Sequence, residues 1–268
     1  MKFEGKTVLI TGGCSGIGKI MSRKSLERGV AKLVIIDINE NGLQETQAEF
    51  SKFGKEIFAY QCDISDLEQI KSVSSKIKNE VGIVDILINN AGVVTGKYFY
   101  EHSHENITQS ILINSNAPMH LALEFLPEMM KRNSGAICTI ASSAGLISNP
   151  KMSVYAASKW AAVGWSDSLR LEMEQLKKNI SVTTVMPFYI NTGMFDGVKS
   201  KLLPILDPEK VSEKIMNAIG NNTKMLAMPL PYWFIRFSQG VLPISAFDWV
   251  MRNVFGIYDT MKGFKGRK

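Results

Sequence analysis

The chain has 268 residues, 45% of them hydrophobic and 21% charged. That is material for a large core, and it excludes a disordered chain, a collagen-like repeat and a disulfide-stapled miniprotein. The net charge of +6 is concentrated at one end: residues 1–223 carry 24 basic and 23 acidic groups, residues 224–268 seven and two, so a nucleic-acid-binding body is not expected.

Near the start, Thr7-Val8-Leu9-Ile10 reads as a buried strand and not as a signal peptide. No uncharged apolar window reaches about 18 residues, so no transmembrane helix is expected. Cys14, Cys62 and Cys138 lie far apart without CxxC spacing, which points to a reducing compartment. The expected location is cytoplasmic, with peripheral contact to a membrane surface left open. His102, His104 and His120 have no carboxylate partners at ligand spacing, and no metal is expected.

Short β-branched runs fall at 7–11, 33–37, 57–62, 86–89, 136–141, 181–186 and 225–228. Helix-like runs fall between them near 16–29, 41–53, 66–81, 104–132, 153–178 and 207–220. The strands are continuously apolar, as strands covered on both faces are. The alternation predicts an α/β fold: a single Rossmann-type doubly wound parallel sheet of about seven strands with helices on both faces. Residues 188–206 have no period and read as a loop or lid. Residues 229–268 break the alternation with prolines and aromatics.

Between the first strand and helix stands Thr11-Gly12-Gly13-Cys14-Ser15-Gly16-Ile17-Gly18. Glycines there let the backbone approach a phosphate, and the helix N-terminus favours an anion. A P-loop is a poor match, because Ile20 stands where a magnesium-binding hydroxyl is needed. A dinucleotide pyrophosphate suits the turn better. Asp37, ending the second strand, would accept bonds from ribose hydroxyls and repel a 2′-phosphate. The alternative is a plain strand–helix turn with Asp37 as a cap.

Tyr155-Ala-Ala-Ser-Lys159 puts a phenol and an ammonium on one helix face, where the cation is expected to lower the phenol pKa and make it an acid/base. Tyr258 and Lys262 share that spacing without the other features and read as structural or membrane-facing. Ser142 follows the fifth strand, Asn89-Asn90-Ala91-Gly92 ends the fourth, and Asn114 interrupts the apolar Ile111-Leu112-Ile113 run; for Asn114 alone a satisfied helix-interior amide is the alternative.

Together, Thr11-Gly12-x3-Gly16-x-Gly18, Asn89-Asn90-Ala91-Gly92, Asn114, Ser142, Tyr155-x3-Lys159 and Pro187-x4-Thr192 resemble the short-chain dehydrogenase/reductase family over about residues 5–195. The resemblance implies one dinucleotide-binding oxidoreductase domain over 1–268 that uses NAD. Its catalytic set would be Asn114, Ser142, Tyr155 and Lys159. Tyr155 would exchange the substrate proton, Ser142 would orient the reacting oxygen, Lys159 would hold the nicotinamide ribose, and Asn114 would anchor a water. Gly12, Ser15, Gly16, Ile17 and Gly18 would cradle the pyrophosphate. Asp37, Asp63, Ile64, Asn90, Ala91 and Gly92 would meet the adenosine side. Pro187, Ile190 and Thr192, with Tyr155 and Lys159, would meet the nicotinamide side. Relatives commonly pair, so a homodimer or homotetramer is implied.

Phe188 departs from the pattern, which has glycine after the proline. The second half is most similar to the branch of hydroxysteroid and retinol dehydrogenases that act on lipids, through Tyr155-Ala-Ala-Ser-Lys159-Trp-Ala-Ala-Val-Gly164 and the ending Gly256…Met261-Lys-Gly-Phe264-Lys-Gly-Arg267. Ser142, Tyr155, Phe188, Met194 and Phe195 are the expected substrate contacts. Tyr189, Val198, Leu202, Leu203 and Ile205 would add wall, as would Val93, Val94, Tyr98, Phe99 and Tyr100 after the fourth strand. Such a pocket suits an apolar, lipid-like small molecule. The alternatives are a soluble reductase of smaller ketones or 3-oxoacyl thioesters, and a non-catalytic lipid-surface or scaffold protein on the same fold. In the tail, Tyr232-Trp233-Phe234-Ile235-Arg236-Phe237, Phe247, Trp249, Phe255 and Tyr258 precede Lys262, Lys265, Arg267 and Lys268. This extension suits a membrane interface, a dimer contact or a cover over the substrate mouth.

Overall fold

A computed structural model of the chain describes residues 1–229 and 231–266, with Pro231 and Tyr232 described in backbone only; Arg267 and Lys268 of the basic tail, like the Tyr232 ring, lie outside the described residues. Seven parallel strands form one sheet in the order β3-β2-β1-β4-β5-β6-β7. They are β1 (Thr7–Thr11), β2 (Lys32–Asp37), β3 (Glu56–Gln61), β4 (Ile86–Asn89), β5 (Gly135–Ile140), β6 (Ile180–Pro187) and β7 (Met225–Met228). The order reverses between β1 and β4, so the crevice at the carboxyl ends of these two strands is where such sheets bind ligands.

The central strands β1, β4 and β5 are buried at every position, which explains their unbroken apolar runs. On one face α1 (Gly16–Glu27), α2 (Glu40–Phe50) and α7 (Pro208–Gly220) bury Met21, Leu26, Leu43, Phe50, Ile215 and Ile219. On the other, α3 (Leu67–Glu80), α5 (Ala117–Arg132) and α6 (Ser153–Gln175) bury Ile70, Ile77, Leu121, Phe125, Leu169 and Met173. Helix starts are set by side chains that accept otherwise unpaired N–H groups: Asn39 caps α2, Asp66 caps α3, and Asp207, followed by Pro208, caps α7.

The run expected as one helix over 104–132 is broken in register. Helix α4 (His104–Ile111) passes through a π-helical turn, Leu112–Asn116, before α5. Such bulges gather at functional sites. The tail is mostly helical, with α8 (Pro231–Val241), α9 (Ile244–Trp249), a π-turn at Val250–Val254 and a short 3₁₀ turn at Ile257–Asp259. A third apolar cluster joins it to the body: Phe247, Met251, Phe255, Ile257 and Met261 pack with Phe188, Tyr189, Val198 and Leu203. Among the described residues no helix is long and apolar enough to cross a membrane, and no three His, Cys, Asp or Glu side chains come together to hold a metal.

Candidate active site

A cavity of about 300 Å³ runs along the carboxyl edge of β1, β4, β5 and β6. Its floor is the turn between β1 and α1. Gly12 and Gly16 adopt φ of +64° and +52°, which a side chain would strain, and a Cβ at Gly18 would stand 2.0 Å from the Gly12 carbonyl oxygen. The turn is tied to β4. Thr11 Oγ1 accepts from the N–H groups of Asn90 and Ala91, both at 3.0 Å, and Asn90 Nδ2 donates to the Thr11 carbonyl at 2.9 Å. Ser15, Gly16, Ile17 and Gly18 then present the α1 N-terminus to the cavity. Bare backbone at a helix N-terminus fits a phosphate.

Asp37 faces the same cavity from the end of β2. Its Oδ1 accepts from the Asn39 N–H at 3.2 Å and its Oδ2 from the Cys14 N–H at 3.3 Å. Each oxygen keeps a further lone pair for a hydroxyl donor. Lys19 on α1 is held in an ion pair with Glu49 at 2.7 Å. Cys14 beside it is no reactive thiol, because burial and then the Asp37 carboxylate push its pKa up to about 12. Asp63 Oδ1 accepts from the N–H and hydroxyl of Ser65 at 2.9 and 2.7 Å.

At the other end Tyr155, Lys159 and Ser142 converge. Tyr155 and Lys159 are one turn apart on α6, with the ammonium 5.7 Å from the centre of the phenol ring. Lys159 Nζ donates to the Ile140 carbonyl at 2.9 Å. Burial lowers the Lys159 pKa to about 8. Burial also pushes the Tyr155 phenol up to about 12, opposed in part by a hydrogen bond with Ser142. The lowering of Tyr155 expected from the cation therefore does not prevail: desolvation of a phenolate in a dry site outweighs it. With its pKa raised, Tyr155 is protonated at neutral pH, and the Ser142 hydroxyl stands beside it.

Of the further wall residues Val93 lines this cavity and Val94, Tyr189, Val198, Leu202, Leu203 and Ile205 do not, whereas the catalytic, cofactor and principal substrate residues all line it but one. The exception is Asn114, buried behind the wall. Its Nδ2 donates to the Val93 carbonyl at 2.9 Å and to Ser158 Oγ at 3.0 Å, and its Oδ1 accepts from the Val93 N–H at 2.9 Å. The π-turn puts it there. It fixes the chain after β4 against α6.

Phe188, Met194 and Phe195 line the cavity beyond Tyr155. Tyr98, Phe99 and Tyr100 do not. They are exposed, Tyr98 and Tyr100 stacking on each other with centroids 6.0 Å apart, because their segment turns outward before α4. A smaller cavity of about 30 Å³ extends past Ser142 and Phe188, walled by Ile147, Met152, Leu203, Ile235 and Ile257. Beside it Asn149 Nδ2 donates to Tyr189 Oη at 3.0 Å and to Thr260 Oγ1 at 2.8 Å, joining positions 111 residues apart. No local spacing in the sequence signals this contact. The decoy pair is structural: Tyr258 donates to Asp248 and Lys262 pairs with Asp259.

A doubly wound sheet carrying this phenol, ammonium and hydroxyl beside a glycine turn defines a class of oxidoreductase. Residues 6–202 match the family model described as short chain dehydrogenase, and the chain belongs to that family. It is 39% identical over 269 residues to epidermal retinol dehydrogenase 2 of Mus musculus, spanning 98% of this chain and 86% of the relative. It is 35% identical over 262 residues to estradiol 17-beta-dehydrogenase 11 of Macaca fascicularis, spanning 97% and 87%. These likenesses put it in the hydroxysteroid and retinol dehydrogenase branch. A short-chain dehydrogenase of Burkholderia phymatum, solved in complex with NAD, superposes with a TM-score of 0.81 at 24% identity, over 90% of this chain and 95% of that one, and shares the fold.

Proposed function

We propose that the protein is an NAD-dependent oxidoreductase acting on an alcohol or carbonyl of an apolar, lipid-like substrate such as a steroid, retinoid or long-chain molecule. The observation that carries this reading is one continuous cavity. The bare glycine turn and Asp37 stand at one end, Tyr155, Ser142 and Lys159 in the middle, and Phe188, Met194 and Phe195 beyond. When bound, the nicotinamide supplies or takes the hydride. The adenosine ribose would hydrogen-bond to Asp37, whose charge opposes a 2′-phosphate, and the nearby Lys19 is already paired. Pro187, Ile190 and Thr192 would flank the nicotinamide end.

The chain's own residues handle the proton and the geometry. Ser142 and Tyr155 hold the substrate oxygen between two hydroxyls. In reduction Tyr155 gives its proton to that oxygen; in oxidation it takes the proton from the alcohol. Lys159 places positive charge beside the phenol and stabilises the phenolate that reduction leaves. The aromatic wall excludes water, and Phe195 lies 6.1 Å from the Tyr155 ring centre.

Pairing of two copies, as a homodimer or half of a homotetramer, would use α5 and α6, which expose Leu123, Trp160 and Leu171. The test of the whole reading is NADH absorbance with purified protein, NAD⁺ or NADP⁺, and alcohols from short secondary ones to retinol and hydroxysteroids. Turnover of the long members with NAD⁺, lost in Tyr155→Phe, is the expected result. Turnover confined to short substrates would overturn the substrate class, and none in either direction would overturn the enzyme.

A further inference from the structure

The tie between the tail and the substrate loop leaves one buried carbonyl unpaired. Asn149 stands between β5 and α6 and is only 8% exposed. Its Nδ2 carries two hydrogens, and both are engaged, by Tyr189 Oη at 3.0 Å and Thr260 Oγ1 at 2.8 Å. The Thr260 hydroxyl gives its own hydrogen to the Ile257 carbonyl at 2.8 Å, so towards Asn149 it can only accept. The Tyr189 hydroxyl, 2.9 Å from Thr260 Oγ1, faces that acceptor as a donor. Turning the amide over would set its oxygen against the Thr260 oxygen, so the network fixes the N–H edge towards the tail. Asn149 Oδ1 is left buried and without a partner among the described residues.

A buried carbonyl without a donor is unfavourable, and here the hydroxyls beside it are already committed. The place for a donor is the inner cavity, which Asn149 walls together with Ser142, Phe188, Leu203 and Ile257. Its volume of about 30 Å³ is room for one small group. Met152 is in the same wall, with its Sδ 3.5 Å from Tyr189 Oη, and its unbranched chain can shift to admit such a group. Ser142, Phe188 and Phe195 wall both cavities, so a molecule whose reacting oxygen lies at Ser142 and Tyr155 has the inner cavity as its next space. An apolar group there would leave Oδ1 unpaired. A hydroxyl would satisfy it.

We propose that Asn149 determines specificity for a substrate with two oxygens: one that reacts beside Tyr155 and Ser142, and a second, unreacting hydroxyl that enters the inner cavity and donates to Asn149 Oδ1. The inference rests on the oxidoreductase reading and narrows its substrate to an apolar molecule that carries a hydroxyl besides the reacting alcohol or carbonyl. Asn149 does not touch the reacting atoms. It holds the far end of the substrate, and a mono-alcohol of the same length leaves its oxygen unpaired.

The test sets α,ω-alkanediols of rising length against the mono-alcohols of equal length, on wild type, Asn149→Leu and Asn149→Asp. Two quantities are read: kcat/KM with NAD⁺, and, independently of turnover, the rise in melting temperature that each alcohol gives the protein with NADH. At one chain length wild type should prefer the diol by about tenfold or more, mainly through KM, and the diol should give the larger rise. Asn149→Leu should lose both differences, whatever its rate with the mono-alcohol. Asn149→Asp keeps an acceptor and should keep both. A purely structural Asn149 would lower diol and mono-alcohol together and leave their ratio alone. No diol preferred by wild type at any length, as when a water already serves Oδ1, would overturn the subsite even if Asn149→Leu fails to fold. So would a preference that survives Asn149→Leu or is lost in a folded Asn149→Asp. A diol-specific rise that depends on Asn149, with no alcohol turned over, would leave the subsite standing and sink the oxidoreductase reading.

Discussion

The two ends of the cavity are built differently. The cofactor and proton end is held by hydrogen bonds to backbone: Asn90 to Thr11, Asn114 to Val93, Lys159 to Ile140. Each bond tolerates one side-chain chemistry at one place, and the strands bring the partners together through the sheet register. The substrate end is held by apolar and aromatic packing, with Phe188 against Tyr189 at 4.5 Å, Tyr189 against Phe195 at 5.0 Å, and Phe195 against Phe264 at 6.5 Å. Packing asks for volume more than for identity. A molecule built this way can change its substrate without touching its reaction.

The comparison breaks if a mutation at the proton end can be tolerated. Tyr155→Phe keeps the ring and its packing and removes the hydroxyl proposed to move the proton. It should cost about 10²–10⁴ in kcat in both directions with unchanged melting temperature, read by NADH absorbance. Retained activity would mean another group moves the proton. Next in size, Asp37→Ser removes the charge that opposes a 2′-phosphate. The ratio of kcat/KM for NAD⁺ over NADP⁺ should fall on the order of 10²-fold, since like charges in contact cost several kcal/mol. An unmoved ratio would mean the adenosine lies elsewhere.

A pH profile sharpens the same contrast. With Tyr155 as the proposed base, oxidation draws on its phenolate, a minor species far below its pKa of about 12, so the oxidation rate should rise about tenfold per pH unit from pH 6. The depressed Lys159 pKa sets the upper edge. The ammonium is present below about 8 and is lost as pH rises through it, which removes charge that favours the phenolate and flattens the rise. Reduction uses the protonated phenol and should be flat over the lower range. Lys159→Arg keeps its charge and should move the break upward. A break that stays put would assign it to another group.

The same division decides what the sequence made legible. The glycine turn, Asp37, Ser142 and the Tyr155–Lys159 pair follow from local spacing, because each sits at a strand end or on one helix face. Asn114 stood out as polar within an apolar run, but its bonds to Val93 and Ser158 did not. The π-turn shifts the helix register, and periodicity alone does not carry that shift. Tyr98, Phe99 and Tyr100 look like pocket wall by composition and are exposed instead. The Asn149–Tyr189–Thr260 cluster could not be read at all, since its members meet only after the tail folds back over the loop.

The smallest expected effect is the most specific to the packed end. Phe188 is buried, borders both the main cavity and the inner one, and stands where a glycine would leave open space. On the proposed function its ring would limit how wide a substrate is near the reacting carbon. Phe188→Leu keeps an apolar contact and gives back part of that width. A methylene-sized change in such a pocket is worth about 1–3 kcal/mol of discrimination. The ratio of kcat/KM for a carbonyl bulky on both sides over a slender one should rise several-fold to tenfold, while NAD⁺ affinity and the pH break stay as in wild type. If cofactor affinity moves instead, Phe188 belongs to the nicotinamide end and the division between the two ends must be drawn one residue later.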